Sequence, residues 1–216
     1  MNILIAGIPR SGSTRLFNIV RLGLLQHFPK NFINSHWITT FKDNPACHNI
    51  LKVHEFEDRW VKYADFIFTT KRDIRFLAAS AWDHKPLGTY QIPSQLVESM
   101  TAVLGMYERW KPYSDYEIVY EKFSQYSEEI VSNLFSVIGL PVDVKKLLSD
   151  LDAIKNSKEM FNEDGESLMH TNHISEKTSL NYRDRLPEDF YTAVETTFMP
   201  WLEEHEYIQS EPFKFL

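Results

Sequence analysis

Residues 7–14 read Gly-Ile-Pro-Arg-Ser-Gly-Ser-Thr and match the phosphate-binding loop pattern G-x-x-x-x-G-K-[ST] at every fixed place except one. In such a loop the backbone amides and the positive end of the following helix face an anion. Ser13 stands where the pattern has the lysine that reaches the outer phosphates of a nucleoside triphosphate. The motif therefore predicts a nucleotide whose terminal group is handled differently from that of ATP. The alternative is that these residues only cap a helix.

Further residues suited to acid–base and anion chemistry follow other apolar runs. Lys52 and His54 are separated by one residue, and a neutral imidazole can accept a proton near pH 7. Arg72 precedes Ser80 by eight positions, and a guanidinium can bind a phosphate through two N–H groups. The alternatives are an ordinary histidine at 54, an ion pair of Arg72 with its neighbour Asp73, and isolated surface charges.

Four short apolar runs predict β-strands, and the amphipathic segments between them predict helices. Strands are expected at 3–6, 49–53, 65–70 and 116–120, and helices at about 15–28, 57–63, 74–82, 93 onward, 127–138, 142–155 and 187 onward. Strands that alternate with helices form parallel sheets, so the predicted fold class is α/β, with three layers and a central parallel sheet flanked by helices. Ligands bind at the carboxyl ends of such strands, where the loops after 6, 53, 70 and 120 would meet.

Composition narrows the class of protein. The 216 residues are 43% hydrophobic and predict a single domain over 1–216 with a substantial core. The net charge of −7 argues against nonspecific nucleic-acid binding. A single cysteine, Cys47, excludes an internal disulfide. We see no secretory signal and no run of roughly 18 apolar residues that would span a membrane, so we expect a cytoplasmic protein.

In combination these segments resemble the sulfotransferases that use 3′-phosphoadenosine 5′-phosphosulfate (PAPS) and release 3′-phosphoadenosine 5′-phosphate (PAP). Residues 9–14, Pro-Arg-Ser-Gly-Ser-Thr, look like the family's 5′-phosphosulfate loop. The resemblance implies that Arg10 holds the bridging oxygen and the sulfuryl group. It implies that the 5′-phosphate is bound by the loop that comprises Ser11, Gly12, Ser13, Thr14 and Arg15.

The other segments match further elements of the family. Lys52-Val-His54 resembles its Lys-x-His element, which implies that His54 is the general base and that Lys52 assists at the leaving group. The spacing of Arg72 and Ser80 resembles the 3′-phosphate motif. Val119-Tyr-Glu121 resembles a Tyr-Glu-Asp element, which implies that Tyr120 lies near the adenine. Residues 175–186 resemble the loop that closes over the 3′-phosphate, and there only Lys177 matches by spacing.

Some family features are missing from the chain. The usual Arg-Lys-Gly triplet of the last loop is not evident, and Thr192-Ala-Val-Glu195 does not complete the dimer motif of the animal cytosolic branch. The oligomeric state therefore stays open. His170 and His173 lack a carboxylate or cysteine at convincing spacing, so no metal is expected.

The sequence thus predicts a PAPS-dependent sulfotransferase that acts on the hydroxyl or amine of a small acceptor, with no nucleic-acid partner. Trp37, Trp82 and Tyr90 are candidates for lining the acceptor pocket. Two alternatives remain. One is a P-loop kinase for a nucleoside or another small molecule, against which Ser13 argues. The other is a non-catalytic nucleotide- or glycan-binding protein of the same fold.

Overall fold

The computed structural model describes residues 1–84, 88–156, 167–168 and 181–208. Its chain contacts define two compact units. The first comprises Met1–Lys71 and Met106–His173, and the second comprises Arg72–Gly105 and Ile174–Leu216. A single domain over 1–216 stays a prediction.

A five-stranded parallel sheet forms the centre of the first unit. Its strands are β1 (Asn2–Ile5), β2 (Ile33–Trp37), β3 (His48–Lys52), β4 (Phe66–Lys71) and β5 (Tyr116–Val119), in the order β2-β3-β1-β4-β5. The carboxyl ends of all five strands therefore lie at one edge. The predicted parallel sheet is confirmed. The strand β2 was not predicted, because its residues Ile-Asn-Ser-His-Trp form no apolar run.

Seven helices accompany the strands in the described part of the chain. They are α1 (Ser13–Leu25), α2 (Asp58–Tyr63), α3 (Ile74–His84), α4 (Pro93–Trp110), α5 (Tyr120–Ile138), α6 (Val144–Asn156) and α7 (Glu188–Glu204). Helix α5 begins directly after β5, earlier than the predicted start at 127, and only Tyr126 departs from helical backbone angles within it. Helix α7 continues past Pro200, although proline in a helix interior removes one backbone hydrogen bond.

Both faces of the sheet are covered, because alternate residues of each strand point to opposite sides. Ile3 and Ile5 of β1 join a core that includes side chains of α1, α5 and α6. Leu4 joins the second core, on the other face, with side chains of α2 and the buried Trp110. The predicted three-layer arrangement is thus confirmed.

The second unit is helical in its described residues, and α3 packs against α7. Trp82 of α3 meets Phe190 of α7 edge to face, with ring centroids 4.8 Å apart. Arg185, just before α7, pairs with Asp83 of α3 at 2.8 Å. Apolar packing and a buried ion pair together join the two helices.

Among the described helices, none combines the length and the apolar character needed to cross a lipid bilayer.

Candidate functional site

The loop between β1 and α1 has a backbone shape that ordinary residues rarely adopt. Gly12 has φ of 89° and Arg10 has φ of 66°, both in the left-handed region. A side chain at Gly12 would also lie 2.7 Å from Cδ2 of Tyr120. A glycine is therefore needed at residue 12, and Tyr120 borders the loop as the first residue of α5.

Gly7 is needed for a different reason, which is close approach. A Cβ atom built at Gly7 would meet the side chain of Thr70 and would lie 2.5 Å from Cβ of Ser13. Thr70 belongs to the neighbouring strand β4. The loop is thus pressed against the end of β4 with no space for a methyl group.

Ser11 holds the loop together from inside. Its hydroxyl donates to the carbonyl of Ile8 at 2.6 Å, and its amide donates to the same oxygen at 3.3 Å. Since its hydroxyl hydrogen is used in this way, the short contact with Thr70 must have the Thr70 hydroxyl as the donor. In this structure both donors of Ser11 therefore shape the loop, and its role in nucleotide binding stays a prediction.

The first turn of α1 is suited to an anion. Gly12 is its N-cap and supplies no side-chain acceptor, and the turn contains no acidic residue. The first amides of a helix have no partner within the helix, so the amides of Ser13, Thr14 and Arg15 remain available as donors. Together with the helix dipole, these donors are suited to a phosphate or similar group, and their role in nucleotide binding stays a prediction.

Lys52, the last residue of β3, places a buried ammonium beside this turn. Only 5% of the residue is exposed, and its Nζ donates to Oγ1 of Thr14 at 2.5 Å. Nζ also lies 5.0 Å from the centre of the Trp37 ring. In the described part of the chain, no carboxylate contacts it. Burial, followed by the positive charge of Arg10, lowers the pKa of Lys52 to about 7.

His54 lies two residues beyond Lys52, and its ring has one fixed orientation. Its Nδ1 contacts the carbonyl oxygen of Gly7 and must carry the proton, because a carbonyl can only accept. The Trp37 ring lies edge-on to it, with centroids 4.9 Å apart. The backbone carbonyl of His54 accepts from Nε1 of Trp110 at 3.1 Å.

The environment keeps His54 neutral. Burial, followed by the charge of Lys52, lowers the pKa of His54 to about 4, although hydrogen bonds with Gly7 and Val53 act in the opposite direction. Since Nδ1 bears the proton, Nε2 has the lone pair. The arrangement can therefore accept a proton at one defined atom beside an anion-binding loop.

Arg15 lies beneath the loop rather than in open solvent. Its guanidinium lies 3.9 Å from the centre of the Phe123 ring, a cation–π contact. Burial lowers the pKa of Arg15, while Tyr120 and Asp152 act against that shift. The amide of Arg15, rather than its side chain, is what the first turn of α1 offers to a ligand.

Arg72 and Ser80 lie in the second unit, and both are buried. The guanidinium of Arg72 lies 5.9 Å from the centre of the Phe76 ring. The neighbouring Asp73 forms an ion pair with Arg75 at 2.6 Å. Their assignment to a 3′-phosphate stays a prediction.

Several other predictions fall in or near parts of the chain that are not described. Lys177, His170 and His173 lie outside the described residues. Within the described residues, no three His, Cys, Asp or Glu side chains come together in a metal-binding group. Of the three aromatic candidates for an acceptor pocket, Trp37 borders His54, while Trp82 stacks with Tyr90 in the second unit.

Sequence reasoning missed two participants. The Gly7 carbonyl orients His54, and the Thr70 hydroxyl supports Ser11. Neither position has a sequence signal for these contacts, since one is a backbone oxygen and the other is a threonine within a strand.

Two solved structures share this architecture over most of the chain. One is the crystal structure of mouse sulfotransferase SULT7A1 complexed with PAP, at 12% identity and a TM-score of 0.64, covering 96% of this chain and 84% of that one. Another is retinol dehydratase in complex with androsterone and inactive cofactor PAP, at 12% identity and a TM-score of 0.64, covering 94% of this chain and 81% of that one. No family model and no curated protein sequence matches the chain. The structural likeness confirms the predicted fold: this chain has the P-loop-like α/β fold of the PAPS-dependent sulfotransferases.

Proposed function

We propose that this protein is a sulfotransferase that moves a sulfuryl group from PAPS to a hydroxyl of a small acceptor. The observation that carries the proposal is the position of Lys52. Its buried ammonium, contacted by no carboxylate in the described residues, lies between the uncapped first turn of α1 and the imidazole of His54. A buried cation without a counter-ion calls for an anionic ligand.

The loop fits the 5′-end of such a donor. Gly7 and Gly12 allow the backbone to turn tightly there, and no acidic side chain occurs in the first turn of α1. The amides of Ser13, Thr14 and Arg15 would bind the 5′-phosphate. Arg10 would bind the sulfuryl end, as the resemblance implies. Arg72, Ser80, Lys177 and Tyr120 are proposed for the 3′-phosphate and adenine on the same ground.

The donor supplies a sulfuryl group joined to a phosphate oxygen, and transfer replaces that S–O bond with a bond to the acceptor oxygen. Nε2 of His54 would accept the proton of the acceptor hydroxyl as its oxygen attacks. Lys52 and Arg10 would stabilise the negative charge on the departing phosphate oxygen. In this reaction the protein supplies position, one base and fixed positive charge.

The kinase alternative is disfavoured by one contact. In a phosphate-binding loop of the kinase type, the serine or threonine at the place of Thr14 binds Mg²⁺. Here the Thr14 hydroxyl accepts a hydrogen bond from the Lys52 ammonium. That hydrogen bond uses a lone pair of the Thr14 oxygen and places a positive charge beside it, which disfavours Mg²⁺ there.

Calorimetric titration with PAP in the absence of Mg²⁺, beside ATP with Mg²⁺, tests the donor site. We expect micromolar binding of PAP, little binding of ATP, and at least about a tenfold loss of PAP affinity in Lys52→Met, because a charge-assisted bond is removed. A preference for Mg·ATP would identify a kinase instead. Binding of PAP without transfer from PAPS to any member of a broad panel of alcohols, phenols and amines would identify a non-catalytic binding protein.

A further inference from the structure

Trp37 occupies a position that the fold makes special. It is the last residue of β2, and the parallel pairing of β2 with β3 places it in register with Lys52. Paired residues of adjacent strands project to the same side of a sheet. The register therefore brings an indole next to the buried ammonium at the edge where the loops meet.

The indole contacts both groups that the proposed chemistry needs. Its ring centre lies 5.0 Å from Nζ of Lys52 and 4.9 Å from the centre of the His54 ring, with the His54 plane inclined by 74°. Trp37 and His54 are both only partly buried. One side chain thus borders the cation, the base and the exterior.

We propose that Trp37 is the positioning residue for Lys52 and His54, and that its exposed surface is the wall against which a flat apolar acceptor lies. This inference rests on the proposed sulfotransferase function. It assigns a role to a residue of β2, a strand that contains no motif of the resemblance.

The positioning role follows from how the His54 ring is held. Nδ1 donates to the Gly7 carbonyl, and the neighbouring indole limits rotation of the His54 ring. Nε2 is then the only ring nitrogen that an acceptor can approach. The indole also keeps water from Lys52 and His54, and this burial is the leading cause of the low pKa of each.

The wall role follows from the surroundings of the indole. The charged groups that act on Lys52 and His54 are Arg10 and each other, and within the described residues no carboxylate contacts either. An aliphatic amine is protonated near pH 7 and then has no lone pair for attack, so the acceptor should carry a hydroxyl on a flat apolar group rather than an amine.

A matched pair of acceptors separates the two roles. Naphthalen-2-ylmethanol and its fully saturated decahydro counterpart share size and alcohol type, but only the first has a flat aromatic face. With PAPS as donor, Trp37→Ala should lower kcat for both by about tenfold through lost positioning. It should lower the aromatic-to-saturated ratio of kcat/KM by a further three- to tenfold, roughly the strength of an aromatic pair. Trp37→Phe should recover most of both losses.

The matched control is Trp60→Ala. Trp60 is also a partly buried tryptophan of the first unit, but its ring contacts are with Phe41, Tyr63 and Arg59. This variant should keep both kcat and the acceptor ratio. The corresponding naphthalen-2-ylmethylamine should be at least about tenfold poorer than the alcohol in the wild-type protein at pH 7, since its protonated nitrogen has no lone pair for attack.

A measurement without turnover tests the positioning role separately. In an NMR titration of ring-labelled histidine, with the His54 signal identified by its loss in His54→Gln, Trp37→Ala should raise the pKa of His54 toward its usual range. Trp37→Phe should leave it low. If Trp37→Ala does not fold, Trp37→Leu takes its place, because leucine fills most of the volume without a π face.

The outcomes distinguish the two proposals. Failure of the wild-type protein to bind PAP would remove the sulfotransferase function. PAP binding together with an unchanged His54 titration and an unchanged acceptor ratio in Trp37→Ala would overturn the role of Trp37 alone. An effect of Trp60→Ala equal to that of Trp37→Ala would reduce Trp37 to a general structural residue.

Discussion

Two buried cations, Arg185 of the second unit and Lys52 of the first, have opposite surroundings. In the second unit, Arg185 pairs with Asp83 at 2.8 Å, and Arg75 pairs with Asp73 at 2.6 Å. In the first unit, the buried ammonium of Lys52 has a hydroxyl, an aromatic ring and another cation around it. We interpret the Arg185 pair as a contribution to stability and the Lys52 charge as a contribution to ligand binding.

The physical reason is the free energy of desolvation. Burying an ion is unfavourable unless an opposite charge and hydrogen bonds compensate, and Asp83 supplies that compensation for Arg185. Lys52 has no such carboxylate within the described residues, and burial, followed by the charge of Arg10, lowers its pKa. We interpret the uncompensated charge as stability given up for anion binding, a pattern typical of functional sites.

The largest expected effect is on activity and follows from removal of the base at His54. His54→Asn places an amide NH2 near the position from which Nδ1 donates to the Gly7 carbonyl, but removes the base. The turnover of PAPS with an alcohol acceptor should fall by about 10²–10⁴-fold, the usual contribution of a general base. The affinity for PAP, measured by calorimetry, should change by less than about threefold. A large loss of PAP affinity would make His54 a donor-binding residue instead.

The next effect is expected in the second unit and concerns stability. Asp83→Ala leaves the buried Arg185 guanidinium without its carboxylate, so the free energy of unfolding should fall by about 3 kcal/mol in urea denaturation. The double variant Asp83→Ala with Arg185→Met should recover part of that loss, since no uncompensated charge remains. A fall of under about 1 kcal/mol in the single variant would show that the pair is solvated and would weaken the contrast.

A pH effect is expected from Lys52 in the ligand-free protein. The folded-state pKa of about 7 lies below the ordinary value of 10.5, so between these pH values the unfolded chain binds one more proton than the folded protein. The free energy of unfolding should therefore rise with pH from about 7 to about 10.5, and Lys52→Met should lose this rise. The folded-state pKa of His54, about 4, also lies below its ordinary value of 6.5. His54 therefore makes the free energy of unfolding rise with pH between these two values as well. These slopes can be measured by urea denaturation at a series of pH values.

PAP should shift the pH dependence of stability that Lys52 causes, because bound negative charge favours the protonated ammonium. Calorimetry near pH 8 in buffers of different ionisation enthalpy should show proton uptake on PAP binding, and Lys52→Arg should show none. Binding with no buffer dependence in the wild-type protein would mean that Lys52 is already charged before the ligand arrives.

The smallest effect is expected at an exposed ion pair, which serves as the baseline for the comparison. Lys146 and Asp150 form an i,i+4 pair on α6, with side chains 60% and 41% exposed. Asp150→Ala should lower the free energy of unfolding by only about 0.3–0.5 kcal/mol, because water screens both charges. A larger change would show that pairing on the surface also contributes to this fold.

Much of the sheet followed from local patterns. The strands β1, β3, β4 and β5 lie within about one residue of the apolar runs that predicted them, because a strand covered on both faces needs apolar side chains at nearly every position. The strand β2 failed this criterion. It contains Asn34 and Ser35 and is an outermost strand of the sheet. Its backbone pairing with β3, rather than an apolar run, defines it as a strand. The start of α5 was also missed, because Tyr120 directly follows the residues of β5 and was predicted as the last residue of that strand.

The α/β class, the glycine-containing turn between β1 and α1, and the order of Lys52, His54, Arg72 and Ser80 along the chain can be taken from the sequence, because these depend on local spacing. Three contacts are visible only in the tertiary structure. Lys52 donates to Thr14, the Gly7 carbonyl sets the tautomer of His54, and Trp37 borders Lys52 and His54. Those contacts join strands and loops distant in sequence. They arise from strand order and register, which many long-range pairings determine together and no local pattern encodes.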